Sequence, residues 1–139
     1  MNLKKTIRWL PAILWMLVIY YLSGQTGSEL NTFLPFFQKW LPFMKGFNWG
    51  HFFAYFILAL TFFWALGEES SGFRLKFIIV ILCLLYGLTD EYHQGFVEGR
   101  SPDIKDLLND SIGAALAMLF ISIPFVKQFY SRWTYTRKY

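Results

Sequence analysis

Four apolar runs dominate the sequence, and each carries polar groups at one end. They read "IRWLPAILWMLVIYYLS" over residues 7–23, "WGHFFAYFILALTFFWALG" over 49–67, "LKFIIVILCLLYGLTDEY" over 75–92 and "LLNDSIGAALAMLFISIPFV" over 107–126. A helix that crosses a bilayer needs roughly 20 mostly apolar residues, with about 17 as a lower limit. In a 139-residue chain with only 16% charged residues, four such runs leave almost no polar face for water. The 16 Phe, 6 Trp and 8 Tyr exclude a disordered chain, which lacks the apolar area to collapse. The expected fold is all-α: one domain over residues 1–139, an integral membrane four-helix bundle.

The basic residues orient this bundle. Four spans put both termini on one side, with Lys4, Lys5, Arg8, Arg74, Lys76, Lys127, Arg132, Arg137 and Lys138. The other side holds Lys39, Lys45, Arg100 and Lys105. Nine against four predicts cytoplasmic N- and C-termini. The net charge of +4 does not signal a nucleic-acid partner, because the cations flank apolar runs and form no stripe. A signal peptide would also place Lys4, Lys5 and Arg8 before an apolar stretch. The small residues expected before a cleavage point are missing around "YYLSGQ", so the first run is read as a retained span. Cys83, the one cysteine, sits inside "VILCLLYG" and reads as a small buried hydrophobe.

The first outer loop, 24–48, is itself greasy. "FLPFFQKWLPFM" places Phe33, Phe37, Trp40, Leu41 and Met44 at helical spacing, with Pro35 and Pro42 limiting the length. An interfacial or re-entrant helix is expected there. The stretch "GEESSGFR" reads as a tight inner turn. The tail "KQFYSRWTYTRKY" is basic and aromatic, a composition suited to anionic lipid headgroups.

Rise per residue converts sequence into depth. Asp90 lies fifteen residues beyond Leu75, or about 22 Å along a helix, short of a hydrocarbon core about 30 Å thick. Asp110 counted back from Phe125, and His51 counted back from Leu66, reach the same level. Ser23 closes the first span there too. Charged groups at that depth are costly and are expected to face the bundle interior or a wet cavity open to the outside. Asp90 is i,i+4 from Gln94 and i,i+3 from His93, so these can share one wall, as can Glu91 and Gln94. Asp106, Asn109, Asp110 and Gly113 form one stripe, and Gly113, Ala114, Ala115 and Ala117 permit close approach of another helix. "RSPD" reads as a helix start with Ser101 as N-cap and Pro102 at the first helical position.

Three uses of such a cavity follow from its residue types. His51, Asp90, Glu91 and His93 are metal-ligand types, but no tight motif is present, so the sequence assigns no metal site and no cofactor. Paired carboxylates beside a His suit acid–base hydrolysis, with Asp90, Glu91 and His51 in the catalytic roles. Arg100 suits bidentate recognition of a phosphate or carboxylate. A buried network that only holds helices together is the bland alternative. A through-membrane ion path is disfavoured, since the inner halves of all four runs are nearly free of polar groups.

The combination "NWGHFFAYFILAL" and "YGLTDEYHQGFVEGRSPDIKDLLNDSIGAALA" resembles the VanZ-like family of bacterial membrane proteins. The resemblance runs over roughly residues 15–120. It rests on His51 and Tyr55, on Asp90, Glu91, Gln94, Arg100, Asp106, Asn109 and Gly113, and on Ser23 and Gln25. The candidate ligand-binding residues are Arg100, Gln94, Asp106, Asn109, Ser23, Gln25 and Tyr55. Family members often carry Lys three residues before the His, where this chain has Asn48. The family's namesake is linked to low-level teicoplanin resistance, but no settled reaction attaches to the family. The resemblance implies a multi-pass protein of the bacterial cytoplasmic membrane. Its expected partners are membrane lipids and a peptidoglycan precursor or other lipid-linked envelope ligand. An intramembrane hydrolase or transferase and a scaffold for an envelope enzyme are the competing expectations.

Overall fold

The computed structural model describes residues 6–40, 48–66 and 72–135. Among them every regular element is an α-helix: α1 (Leu10–Ser23), α2 (Gly27–Trp40), α3 (Asn48–Leu66), α4 (Phe73–Gln94), α5 (Ile104–Ser122) and α6 (Pro124–Tyr135). The all-α expectation holds, and the four long apolar runs supply α1, α3, α4 and α5.

Local chemistry sets the ends. Pro11 sits in the first turn of α1, where the missing N–H costs nothing, so the helix starts at Leu10, not Ile7. Helix α2 opens on a capping box that spacing arguments about its aromatics did not reveal. The Glu29 carboxylate accepts from the Thr26 amide at 2.8 Å, and the Glu29 amide donates to Thr26 Oγ1 at 3.4 Å. These bonds to Thr26 hold the Glu29 carboxyl below its usual range. Pro35 lies inside α2 without ending it; the expected contributions of Leu41, Pro42 and Met44 fall outside the described residues, as does most of the inner turn "GEESS". Helix α5 is capped by Asp103, whose Oδ1 accepts from the Lys105 amide at 2.9 Å. The expected Ser101 cap and Pro102 start are therefore displaced by two residues. The amide of the capping residue Asp103 is itself bound by Glu91.

The fourth run does not continue to Val126. Ile123 takes φ −60° and ψ 127°, the extended conformation that a following proline imposes, and Pro124 begins a new helix. Helices α5 and α6 meet at 81°. Among the described residues no single helix is long and apolar enough to cross a membrane alone, whereas this bent pair passes by length and composition. Helix α1, with 14 residues, spans only about 21 Å. Helices α4 and α5 are longer but turn polar at one end.

Helices α1, α3, α4 and α5 pack together, and α3 against α5 is the most extensive contact. Gly113 makes it possible. A Cβ there would press into the Phe52 carbonyl oxygen and lie 3.2 Å from the Phe56 nitrogen. Ala114 and Ala117 are buried on the same helix. The core between them is filled by Tyr55, Leu58, Phe63, Ile79, Cys83 and Met118, which confirms the buried reading of Cys83. Two side chains tie α1 to its neighbours through backbone oxygens. Trp15 Nε1 donates to the Ala54 carbonyl at 2.8 Å and the Tyr86 hydroxyl to the Met16 carbonyl at 2.6 Å. At the end where α6 turns away, Tyr130 packs on Phe63 and Trp64, and Arg8 lies over the Trp64 ring.

Because the obstacle at Gly113 is backbone, it cannot swing aside. Gly113→Ala is expected to cost about 1–3 kcal/mol by overpacking, read as a lower unfolding midpoint in detergent. Ala115→Gly, on the half-buried side of the same helix, is expected to cost less than Gly113→Ala.

Candidate functional site

Four helices end at one polar cluster. Ser23 is the last residue of α1, and His51 lies in the first turn of α3. Asp90, Glu91 and Gln94 form the end of α4, and Asp106 and Asp110 the start of α5. Helix α4 runs two residues past the expected limit at Tyr92, which keeps Gln94 one turn from Asp90. These groups are withdrawn from solvent: Asp90 is 3% exposed, Glu91 7%, Gln94 1% and Asp110 0%.

His51 is fixed from one side. Its Nδ1 lies 3.1 Å from Asp110 Oδ1. A carboxylate only accepts, so the ring donates through Nδ1–H and presents Nε2 on the opposite edge. Nε2 faces Asp106 Oδ2 at 3.9 Å. Tyr55, one turn along α3, stacks beneath the ring with centroids 6.4 Å apart. Asp110 can occupy this position because Gly87 stands opposite. A Cβ at residue 87 would lie 2.8 Å from Asp110 Oδ2 and 3.0 Å from Leu107 Cδ1.

Gln94 is the hub on the other side. An Arg100 guanidinium nitrogen donates to Gln94 Oε1 at 2.8 Å, and Arg can only donate, which fixes the amide orientation. The two Gln94 Nε2 protons then serve Ser23 Oγ at 3.1 Å and Asp90 Oδ2 at 3.2 Å. His51 Nε2, at 3.5 Å, is left without a proton of its own from this amide. Arg100 reaches Gln94 because the α4–α5 loop doubles back. Gly99 adopts φ +75°, which side-chain-bearing residues rarely take, and the Arg100 amide donates to the Val97 carbonyl.

Glu91 joins the loop to the cluster. Its Oε2 accepts from the Asp103 amide at 2.7 Å, while its buried Oε1 has no hydrogen-bond partner. Asp106 Oδ1, Asp110 Oδ2 and the Tyr55 hydroxyl are also buried and unpartnered. The cluster thus holds four carboxyl groups against one imidazole and one guanidinium, and among the described residues Arg100 forms no ion pair with any of them.

The structure brings together Ser23, His51, Asp90, Glu91, Gln94, Arg100 and Asp106, with Tyr55 beneath them. It does not bring in Gln25, which donates to the Tyr21 carbonyl of its own helix at 3.1 Å. Asn109 is half-exposed and forms no side-chain hydrogen bond among the described residues. The shared wall of Asp90 and His93 is not formed either. His93 turns to α1, where its ring stacks on Tyr20 at 4.2 Å and its Cε1 would meet a Cβ on Gly24 at 3.3 Å. Asp110, which depth and its i,i+4 spacing from Asp106 place at this level without a role, is the partner of His51. Gly87 carried no local signal, because its role is to leave room across a helix contact.

An all-helical bundle with buried polar groups gathered where four helices end is the class that fold and site define. Within that class the chain belongs to the VanZ/LLP1 family, whose model matches residues 8–126. It is 33% identical over 70 residues to the uncharacterized protein C11E3.10 of the fission yeast Schizosaccharomyces pombe. That alignment covers 50% of this chain and 42% of the yeast protein, so the chain spans less than half the length of that relative. No solved structure matches.

The His51–Asp110 bond has a spectroscopic consequence. In 15N NMR spectra of His-labelled protein at neutral pH, the neutral His51 ring is expected as the Nδ1–H tautomer. Asp110→Leu is expected to shift it towards Nε2–H; an Nε2–H ring in the unmodified protein would contradict the assignment.

Proposed function

We propose that the chain is a multi-pass membrane protein whose polar cluster opens on the outer face and binds the anionic headgroup of a lipid-linked or cell-surface ligand. The observation that carries this reading is Arg100: a half-buried guanidinium that, among the described residues, is held by one bond to Gln94, with donors left over and no carboxylate paired to it. Such a fork matches phosphate or carboxylate bidentately.

The membrane part rests on the outside of the bundle. Leu17, Ile78, Leu85, Ile112 and Leu119 are among many large apolar side chains left exposed, far more than a water-facing protein of this size presents. Helix α6, turned through 81°, carries exposed Phe125 and Phe129 beside Lys127, as suits a helix lying in an interface. The excess of cations near both ends of the chain favours cytoplasmic termini, which sets the cluster on the outer side. In a bacterial envelope the ligand class is then a peptidoglycan precursor or similar lipid-linked molecule. The link to teicoplanin susceptibility rests on the resemblance to the family's namesake.

A second reading, hydrolysis or group transfer on a lipid headgroup, is favoured by one observation. His51, oriented by Asp110 and facing carboxylates through Nε2, is arranged as a general base is. A scaffold role has no such support, because the small face of α5 around Gly113 is occupied by α3.

Binding of a polyprenyl phosphate to the purified protein in nanodiscs separates these. Arg100→Ala is expected to weaken binding by about 10–100-fold, the worth of a charged hydrogen-bonded contact, and Arg100→Lys to recover only part of it. Unchanged affinity in a folded Arg100→Ala protein would reject the headgroup reading. Turnover that is lost in Glu91→Gln while binding persists would select the enzyme.

A further inference from the structure

Buried carboxyl groups in excess of buried cations need something to neutralise them, either protons or a cation. The arrangement of three side chains favours a cation. His51, Glu91 and Asp106 each offer a ligand atom, and those atoms all lie within 4.8 Å of one another. They come from the three helices that pack most closely, α3, α4 and α5, so the bundle itself fixes their separation.

Two independent features of these side chains suit a ligand. The Glu91 side chain is more than nine-tenths buried, and its Oε1 has no hydrogen-bond partner, although an oxygen so withdrawn from water costs free energy if left alone. His51 is held through Nδ1 by Asp110, which leaves Nε2 without a proton and directed at Asp106, with the Gln94 amide nitrogen at a long 3.5 Å. A carboxylate that orients an imidazole so that its other nitrogen can ligate is the outer-shell arrangement of histidine metal sites.

We propose that His51 Nε2, Glu91 and Asp106 bind one divalent transition-metal ion, with Asp110 as the residue that positions His51. The donor set, one imidazole and two carboxylates without a thiolate, suits manganese or zinc better than the all-oxygen preferences of calcium or magnesium. Bonds of about 2.1 Å would put cis ligand atoms roughly 3.0–3.5 Å apart. The 3.9 Å between His51 and Asp106 is within half an ångström of that spacing, and a small rotation of Glu91 or Asp106 closes the rest. The ion would stand beside Gln94 and Arg100, where an anionic headgroup would meet two positive centres. This inference deepens the headgroup reading but is tested without any lipid ligand, so the two can fail separately.

The test uses full-length protein in detergent, stripped with a chelator and desalted, then titrated with Zn2+ and with Mn2+. One equivalent is expected to remain bound after gel filtration, measured by elemental analysis. Glu91→Gln and Asp106→Asn are each expected to weaken binding at least 100-fold, and Asp110→Asn by about 10–100-fold, the usual effect of losing an outer-shell partner. Glu29→Gln, outside the cluster, is expected to bind as before. Helicity and elution volume check that each variant is folded. Pulsed EPR of Mn2+-loaded unmodified protein needs no variant: coupling to one histidine nitrogen is expected, and it should change on 15N-histidine labelling. Sub-stoichiometric binding of both ions, binding indifferent to Glu91→Gln and Asp106→Asn, or bound Mn2+ without nitrogen coupling would each overturn the proposal.

Discussion

The contact between α3 and α5 is the constraint on which the remainder depends. Gly113 lets the backbones approach until a Cβ would press into the Phe52 carbonyl, and at that separation Asp110 lies 3.1 Å from His51. Gly87 makes the corresponding allowance on α4, leaving space for the second Asp110 oxygen. Two glycines on two helices thus permit a carboxyl group with no solvent exposure to sit where three helices meet. Its energetic logic is unfavourable unless the group does something, because burying acids costs several kcal/mol unless they are paired. One Asp110 oxygen is paired with His51 and the other is not.

Much of this was legible in the sequence, for a definite reason. Apolar runs report helices directly, and rise per residue places Ser23, His51, Asp90 and Asp110 at one level without any knowledge of packing. Convergence of polar groups from four distant segments follows. Details that depend on a local competition were less legible. Pro124 ends α5 at Ser122 because it forces Ile123 out of the helical region, whereas hydropathy alone carries the run through to Val126. Asp103, not Ser101, caps α5, and its amide is held by Glu91, twelve residues earlier, a contact that local spacing does not reveal. Rotational position is the third kind of difficulty. His93 and Gln94 are neighbours in sequence, yet one stacks on Tyr20 and the other becomes the hub, a choice made by what α1 presents to each.

Distribution of hydrogen bonds separates the cluster into two parts. Gln94, Ser23, Asp90 and Arg100 form a matched set in which each Gln94 amide atom finds partners. Glu91, Asp106 and the Nε2 edge of His51 form an unmatched set, with buried oxygens lacking donors. A network evolved only to hold helices together would be expected to satisfy both parts, since half-satisfied buried networks are less stable than apolar packing. Under the proposed binding role the unmatched half would receive the incoming group, and Arg100 stands on the boundary between the halves.

If this unmatched half is kept for binding, it lowers the stability of the unliganded protein. Thermal unfolding of the chelated protein in detergent tests it most directly, comparing the unmodified chain with the Glu91→Gln, Asp106→Asn double variant. Removal of two crowded, partly unpaired carboxyl groups is predicted to raise the midpoint by a few degrees, as neutralising a strained binding site does. A midpoint that falls by several degrees would show instead that the acids hold the bundle together.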